Sequence, residues 1–244
     1  MAEILQTIRE RHSTRGPFDP SRSVGKSEIK LILDAARWAP TAHNMQNFEI
    51  LIVDEKDRLD AIAQISAEMS EAFLRENYEQ LSFSKEELQI KKTGLLADMF
   101  PPAWINPEAW CSDSDFTTQL TFLGRSVGET QLLLIVLYDC RKRAPGSEGD
   151  YLGHMSLGCV LENMWLMSES RGIGFHVLTV FSDGHVEKKV RKILKIPQHM
   201  KIAFACALGY PIATPEPYTR VRRDIEDFVH HNQFDHKDQL WSSF

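Results

Sequence analysis

Arginine, histidine and serine crowd one short stretch near the start of the chain. Arg9, Arg11, His12, Ser13 and Arg15 all fall within the run RERHSTRGPFDP, Arg9–Pro20. A guanidinium is a planar fork that matches phosphate oxygens two at a time. A neighbouring hydroxyl adds a further donor, so this combination suits a phosphate ester. The same residues have a plainer meaning at the C-terminal end of a helix, where the dipole favours cations. A second basic group, Arg220, Arg222 and Arg223, lies far away in sequence. It could converge with the first on one anion, and otherwise reads as a solvated turn. A third stretch, APTAHNMQN at Ala39–Asn47, is dense in amides and hydroxyls. Asn44 and Gln46 could each offer a donor and an acceptor to the edge of a heterocycle, or simply form a polar turn.

The remaining composition narrows the chemistry. The 244 residues carry a net charge of −6, which argues against general nucleic-acid binding. With 43% hydrophobic residues, the chain reads as an ordinary soluble protein able to bury a large core. The longest apolar run, near Leu132–Tyr138, is far short of a membrane span. Cys111, Cys140, Cys159 and Cys206 show no C-x-x-C spacing, as expected of reduced thiols in a cytoplasmic protein. No phosphate-binding G-x-x-x-x-G-K-[ST] loop, G-x-G-x-x-G fingerprint, H-E-x-x-H or G-x-S-x-G elbow occurs. HHNQFDH at 230–236 has no second cluster at ligand spacing, so no metal is expected.

Periodicity supplies the elements that must position these groups. Helices are expected over residues 2–13, 26–38, 56–80, 85–98 and 186–194. MSLGCVLENMWLMSES is apolar on several faces, the pattern of a long buried helix, with Gly172 beyond its end as a cap. Strands are expected at Phe48–Asp54, Gln131–Asp139, Gly174–Phe181 and Lys201–Pro211. The class is α+β. One domain accounts for the chain, with a variable helical or loop excursion at 66–130 and a C-terminal arm at 212–244. That arm keeps Ile225, Phe228, Phe234, Leu240, Trp241 and Phe244, too many apolar residues for a solvated tail.

Four of these stretches, in this order, resemble the nitroreductase family of FMN-dependent oxidoreductases. They are IRERHSTR with Phe18 and Asp19, WAPTAHNMQNFEILIV, LGCVLENMWLMSESRGIGFHVLTVF, and ALGYP followed by RVRRDIEDFVH. The resemblance spans about 1–60 and 150–235. It implies a central, mostly antiparallel sheet flanked by helices around a long buried helix. It also implies an intertwined homodimer, with two FMN sites at the dimer interface. NADH or NADPH would be the hydride source and would alternate with a nitroaromatic, quinone or related acceptor in a ping-pong scheme.

By matching position, Arg11, His12, Ser13 and Arg15 would fall in the FMN site. Arg11 and Ser13 would serve the phosphate and ribityl end, and Arg15 the pyrimidine ring, where it would stabilise the charge of the reduced flavin. Arg222 or Arg223, and less so Arg220, would complete the phosphate site. Thr41, Asn44 and Gln46 would meet the flavin from the other subunit, and Leu178, Thr179 and Val180 would lie along its edge. No side chain is implied as an acid or base. Phe100, Trp104, Trp110 and Phe116 are candidate substrate-pocket residues, or else pack the excursion onto the core. Asn47-Phe48, Thr41 and Thr179-Val180 depart from the family's usual residues. Specialisation for dehalogenation or dehydrogenation, a flavin carrier or sensor with little turnover, and a structural dimer whose site has decayed are the alternatives.

Overall fold

The computed structural model describes residues 3–15, 17–65, 81–97, 127–212 and 220–237. Contacts divide the chain into two compact units: Met1–Glu68 with Thr117–Pro215, and Met69–Phe116 with Glu216–Phe244.

In the first unit the order is α1 (Glu3–Glu10), α2 (Lys26–Arg37), β1 (Phe48–Val53) and α3 (Lys56–Ala63). In the second unit come β2 (Ser82–Phe83), α4 (Lys85–Lys91) and β3 (Leu95–Leu96). The first unit resumes with β4 (Leu132–Asp139), α5 (Tyr151–Ser170), β5 (Gly174–Leu178), α6 (Gly184–Leu194) and β6 (Met200–Gly209). A short α7 (Ile225–Phe228) follows in the second unit.

The first unit is built on a four-stranded sheet in the order β1-β4-β6-β5, with every neighbouring pair antiparallel. β4 is almost wholly buried, which explains its unbroken LLLIVL. Its side chains alternate between two covered faces rather than between core and solvent. Leu133, Ile135 and Leu137 join Leu59 and Ile62 of α3 and Val186 and Val190 of α6 on one face. Leu132, Leu134 and Val136 join Ile32 and Ala36 of α2 and Leu157, Val160 and Met164 of α5 on the other.

α5 is the long helix that the sequence implies, but its burial follows one stripe: Gly153, Ser156, Leu157, Val160, Met164 and Ser168. Tyr151 and Met155 stand exposed off that stripe, so within this chain the helix is not buried all round. Gly172 adopts φ +66° just beyond α5, the left-handed geometry a helix-terminating glycine supplies without strain. β5 is shorter than expected. It stops at Leu178, and Thr179–Ser182 coil into a 3₁₀ turn, with Ser182 Oγ donating to the Thr179 carbonyl at 2.6 Å. Asp183 then caps α6 by accepting from the His185 and Val186 amides.

In the second unit, β2 and β3 pair in parallel around α4. α4 starts with a reciprocal capping box between Ser84 and Glu87. Lys92 pairs with Asp224 at the start of α7. No helix among the described residues is long and apolar enough to cross a membrane.

Candidate cofactor site

The arginine-rich run begins where α1 ends. The Arg11 amide still donates to the Thr7 carbonyl at 2.9 Å, and the chain then straightens. The Thr14 amide donates to Phe175 O at 3.0 Å, Phe18 forms a bridge with Pro211, and the Asp19 amide donates to Tyr210 O at 2.7 Å. The run is thus a strap laid along β5 and the end of β6. Two glycines make room for it. A Cβ on Gly209 would lie 2.5 Å from Phe18 Cγ, and one on Gly174 would lie 2.8 Å from Thr14 Cγ2. Thr14 and Phe18 are buried anchors, with Arg15 exposed between them and Ser13 partly accessible just before Thr14.

α5 grips the head of this strap. Arg11 Nε is 3.2 Å from Glu162 Oε1, and its guanidinium carbon lies 4.4 Å from the centre of the Trp165 ring. Trp165 Nε1 donates to the His12 carbonyl at 3.0 Å and stacks on Phe175 at 5.4 Å between ring centres. His12 Nδ1 is 3.1 Å from the Glu10 carbonyl oxygen and 3.5 Å from Glu169 Oε2. His12 Nε2 is buried with no hydrogen-bond partner among the described residues, so it is a polar atom that a ligand could satisfy. Arg15 lies within electrostatic reach of His176. Burial pushes the His176 imidazole down to about 4, and the Arg15 charge adds to the effect.

The amide-rich stretch at Ala39–Asn47 forms a strained polar loop. Ala42–Asn44 is a single 3₁₀ turn, and His43, Asn44 and Gln46 have φ of 52°, 52° and 44°. Three non-glycine residues in the left-handed region within four positions store strain that neighbouring contacts must hold. Here the Gln46 amide donates to Thr41 Oγ1 at 3.2 Å, and Gln46 Nε2 donates to Asn44 Oδ1 at 3.0 Å. Thr41, Asn44 and Gln46 therefore form one hydrogen-bonded unit. Ser156 of α5 fastens it, accepting from the Ala42 amide at 2.9 Å while donating to the Leu152 carbonyl at 2.7 Å.

Leu178 and Val180 are buried and Thr179 is exposed, so of the three only Thr179 presents its side chain outward. In the second unit Arg222 donates to its neighbour's carbonyl, Val221 O, at 2.7 Å, and the Arg223 guanidinium lies 5.4 Å from the centre of the Phe228 ring. Arg220 is exposed. Phe100, Trp104, Trp110 and Phe116 lie outside the described residues. At 230–236 the His230 ring stacks on Phe234, and His230 Nδ1 accepts from the Asp235 amide. Among the described residues no cluster of His, Cys, Asp or Glu is arranged to hold a metal.

Residues 8–210 match the sequence pattern of the nitroreductase family. The chain belongs to the nitroreductase family. No curated protein matches it in sequence. Solved structures share its fold at low identity. A candidate NADH dehydrogenase/NAD(P)H nitroreductase from Parabacteroides distasonis ATCC 8503 is 20% identical, with a TM-score of 0.60 over 96% of this chain and 100% of that one. An FMN-dependent nitroreductase from Clostridium difficile R20291 is 17% identical, with a TM-score of 0.57 over 94% and 99%. A nitroreductase with bound FMN from Bacteroides fragilis NCTC 9343 is 18% identical, with a TM-score of 0.53 over 90% and 95%.

Within this nitroreductase-family chain, the sequence reading missed the partners that hold the site. Ser156, Glu162, Trp165, Glu169 and His176 were not among the expected residues. One signal was available. Glu162, Trp165 and Glu169 follow i, i+3, i+7 spacing, which places two carboxylates and an indole on one face of α5.

Proposed function

We propose that the protein is an FMN-dependent oxidoreductase that passes electrons from NADH or NADPH to a nitroaromatic, quinone or related conjugated acceptor. The observation that carries this reading is the rigid seat of Arg11 and His12 within a chain that matches the family over residues 8–210. The residues present fit the cofactor. Arginine and a serine hydroxyl are donors for a phosphate ester, and the buried His12 Nε2, without a partner among the described residues, is an acceptor for a ribityl hydroxyl while Nδ1 faces the Glu10 carbonyl. An FMN-dependent nitroreductase of the same fold from C. difficile and an FMN-bound one from B. fragilis support the choice of flavin.

When bound, FMN would supply the hydride-accepting and hydride-donating ring. The chain's own residues would position and polarise it. Arg11 and Ser13 would hold the phosphate end. Arg15, an exposed fixed cation, would face the ring where negative charge grows on reduction. One preorganised contact of that kind is worth roughly 2–4 kcal/mol. Thr41, Asn44 and Gln46 would offer amide and hydroxyl groups to the ring edge, and Thr179 would border it.

This arrangement calls for a second copy of the chain. Ser156 fixes the amide loop and Trp165 fixes the arginine strap, nine positions further along α5. At 100° per residue those positions differ by about 180°, so the two groups leave opposite sides of a helix about 10–12 Å across. One ligand touching both kinds of group would take them from two chains. Exposed Trp38, Tyr151 and Met155, at 75%, 71% and 57% accessible, are the apolar residues such a homodimer would cover. Free Cys140, Cys159 and Cys206 suit the reducing cytoplasm.

The test is colour. Purified protein should be yellow and release FMN, not FAD, on heating. Anaerobic NADH or NADPH should bleach it. A colourless protein that FMN cannot reconstitute would refute the flavin reading. Stable yellow under both donors would refute turnover and leave a carrier.

A further inference from the structure

We infer that Trp165 is a positioning residue, acting through Arg11 and His12 to aim the phosphate end of the proposed cofactor site. The inference rests on the FMN reading above. It concerns how this particular chain fixes a guanidinium at the end of a helix, where the dipole itself opposes a bound anion.

Three contacts converge on the one indole. Its face lies 4.4 Å below the Arg11 guanidinium carbon. Its Nε1–H donates to the His12 carbonyl at 3.0 Å, so it fixes the backbone next to the arginine whose side chain it supports. It stacks on Phe175 at 5.4 Å with 20° between the ring planes. The Phe175 carbonyl in turn accepts the Thr14 amide at 3.0 Å, on the far side of Ser13. The indole and its stacking partner thus hold residues 11–14 at both ends.

The two carboxylates on the same helical face complete the clamp. Glu162 lies one turn before Trp165 and reaches Arg11 Nε at 3.2 Å. Glu169 lies one turn after it and reaches His12 Nδ1 at 3.5 Å. A flexible arginine loses considerable rotamer freedom when it orders on a ligand, and a guanidinium already stacked and paired has met that cost before binding. The chain therefore presents an arginine of fixed direction rather than a mobile one. Because the clamp acts on residues 11–14 at the strap's head, its effect belongs to the phosphate and not to the ring.

That distinction supplies the test. Full-length protein freed of flavin is titrated with FMN and with riboflavin, which lacks the phosphate. Wild type should prefer FMN. Trp165→Leu removes both the aromatic face and the indole N–H, and should weaken FMN binding about tenfold or more. Riboflavin, which keeps the ribityl chain but not the phosphate, should lose affinity by a clearly smaller factor than FMN. Trp165→Phe keeps a ring for Arg11 and Phe175 but loses the bond to His12 O, and should fall between. If Trp165→Leu does not fold, Trp165→Phe carries the comparison.

A general packing role for Trp165 would weaken both flavins alike, and equal losses overturn the inference, as does unchanged FMN affinity. Wild type binding both flavins equally overturns the phosphate role of Arg11 on which the inference stands. Wild type binding neither overturns the functional reading itself, a result distinguishable from the others because it needs no variant.

Discussion

Ser156→Ala tests whether the amide loop is held in shape from outside. The loop carries three non-glycine residues at positive φ: His43, Asn44 and Gln46. Each costs on the order of 1 kcal/mol against an extended or helical conformation, somewhat less for asparagine. Its own bonds, Thr41 to Gln46 and Gln46 to Asn44, travel with the loop and do not tie it to the fold. Ser156 Oγ does tie it, at 2.9 Å from the Ala42 amide. Removing the hydroxyl deletes one hydrogen bond and leaves a half-buried N–H to find water, together about 1–2 kcal/mol. Alanine returns a few tenths through its better helix propensity.

Ser168→Ala is the matched control. Its Oγ makes the same kind of bond back along α5, to the Met164 carbonyl at 2.8 Å, and among the described residues the hydroxyl bonds to no other element. Urea unfolding should therefore place Ser156→Ala about 1–2 kcal/mol below wild type with an unchanged slope, and Ser168→Ala within about 0.5 kcal/mol of it. Amide exchange at Ala42 should quicken about tenfold in the first variant and stay unchanged in the second. Equal destabilisation by both variants, or unchanged exchange at Ala42, would refute the anchoring role.

His176 should make stability rise with pH. Its folded value, about 4, lies below the ordinary 6.5, so the unfolded chain binds the extra proton between those limits. Stability is then complete above about 6.5 and is lost as pH falls towards 4, by at most about 3 kcal/mol. His176→Val should flatten that stretch of a melting-temperature profile, and parallel curves for the two proteins would disprove it. Gly209→Ala would drive a Cβ to 2.5 Å from Phe18 Cγ and force the strap off the sheet. Overpacking of this kind costs about 1–3 kcal/mol, which calorimetry should read as a drop of some 2–10 °C for a chain of this size. An unchanged melting temperature would show that Phe18 does not anchor the strap.

What the sequence made legible was what local pattern determines. β4 is an apolar run long enough to fill a strand covered on both faces, and both it and β1, a mostly apolar edge strand, appear within a residue of the expected bounds. α2 ends before Pro40 as the proline requires. β5 was overdrawn because GFHVLTVF is apolar throughout. Nothing in that pattern registers that Asp183 will cap α6 and draw Thr179–Ser182 into a turn. The site's partners were harder still. Ser156 lies 114 residues from the amide it accepts, and Trp165 lies 153 from the carbonyl it bonds. Such pairings are set by how α5 packs on the sheet, and no spacing within either segment encodes them. The acidic and aromatic face of α5 was visible as a face, but its purpose was not.

That face also explains how an acidic chain keeps a basic cluster at a helix end. A dipole partner alone would extend along α1 towards its last carbonyls. Arg11 instead turns to α5, where a carboxylate and an aromatic face meet it. Glu162 and Glu169 offset the charge of the strap without neutralising it. The cluster lies at a helix C-terminus, where no backbone N–H groups converge, so any anion it binds depends on side chains alone. Side chains supply such binding only if their direction is fixed, because a mobile arginine returns much of the Coulombic gain as lost entropy. Strap and helix face are therefore one device. The arginine supplies the charge, and the indole and carboxylates of α5 supply its direction.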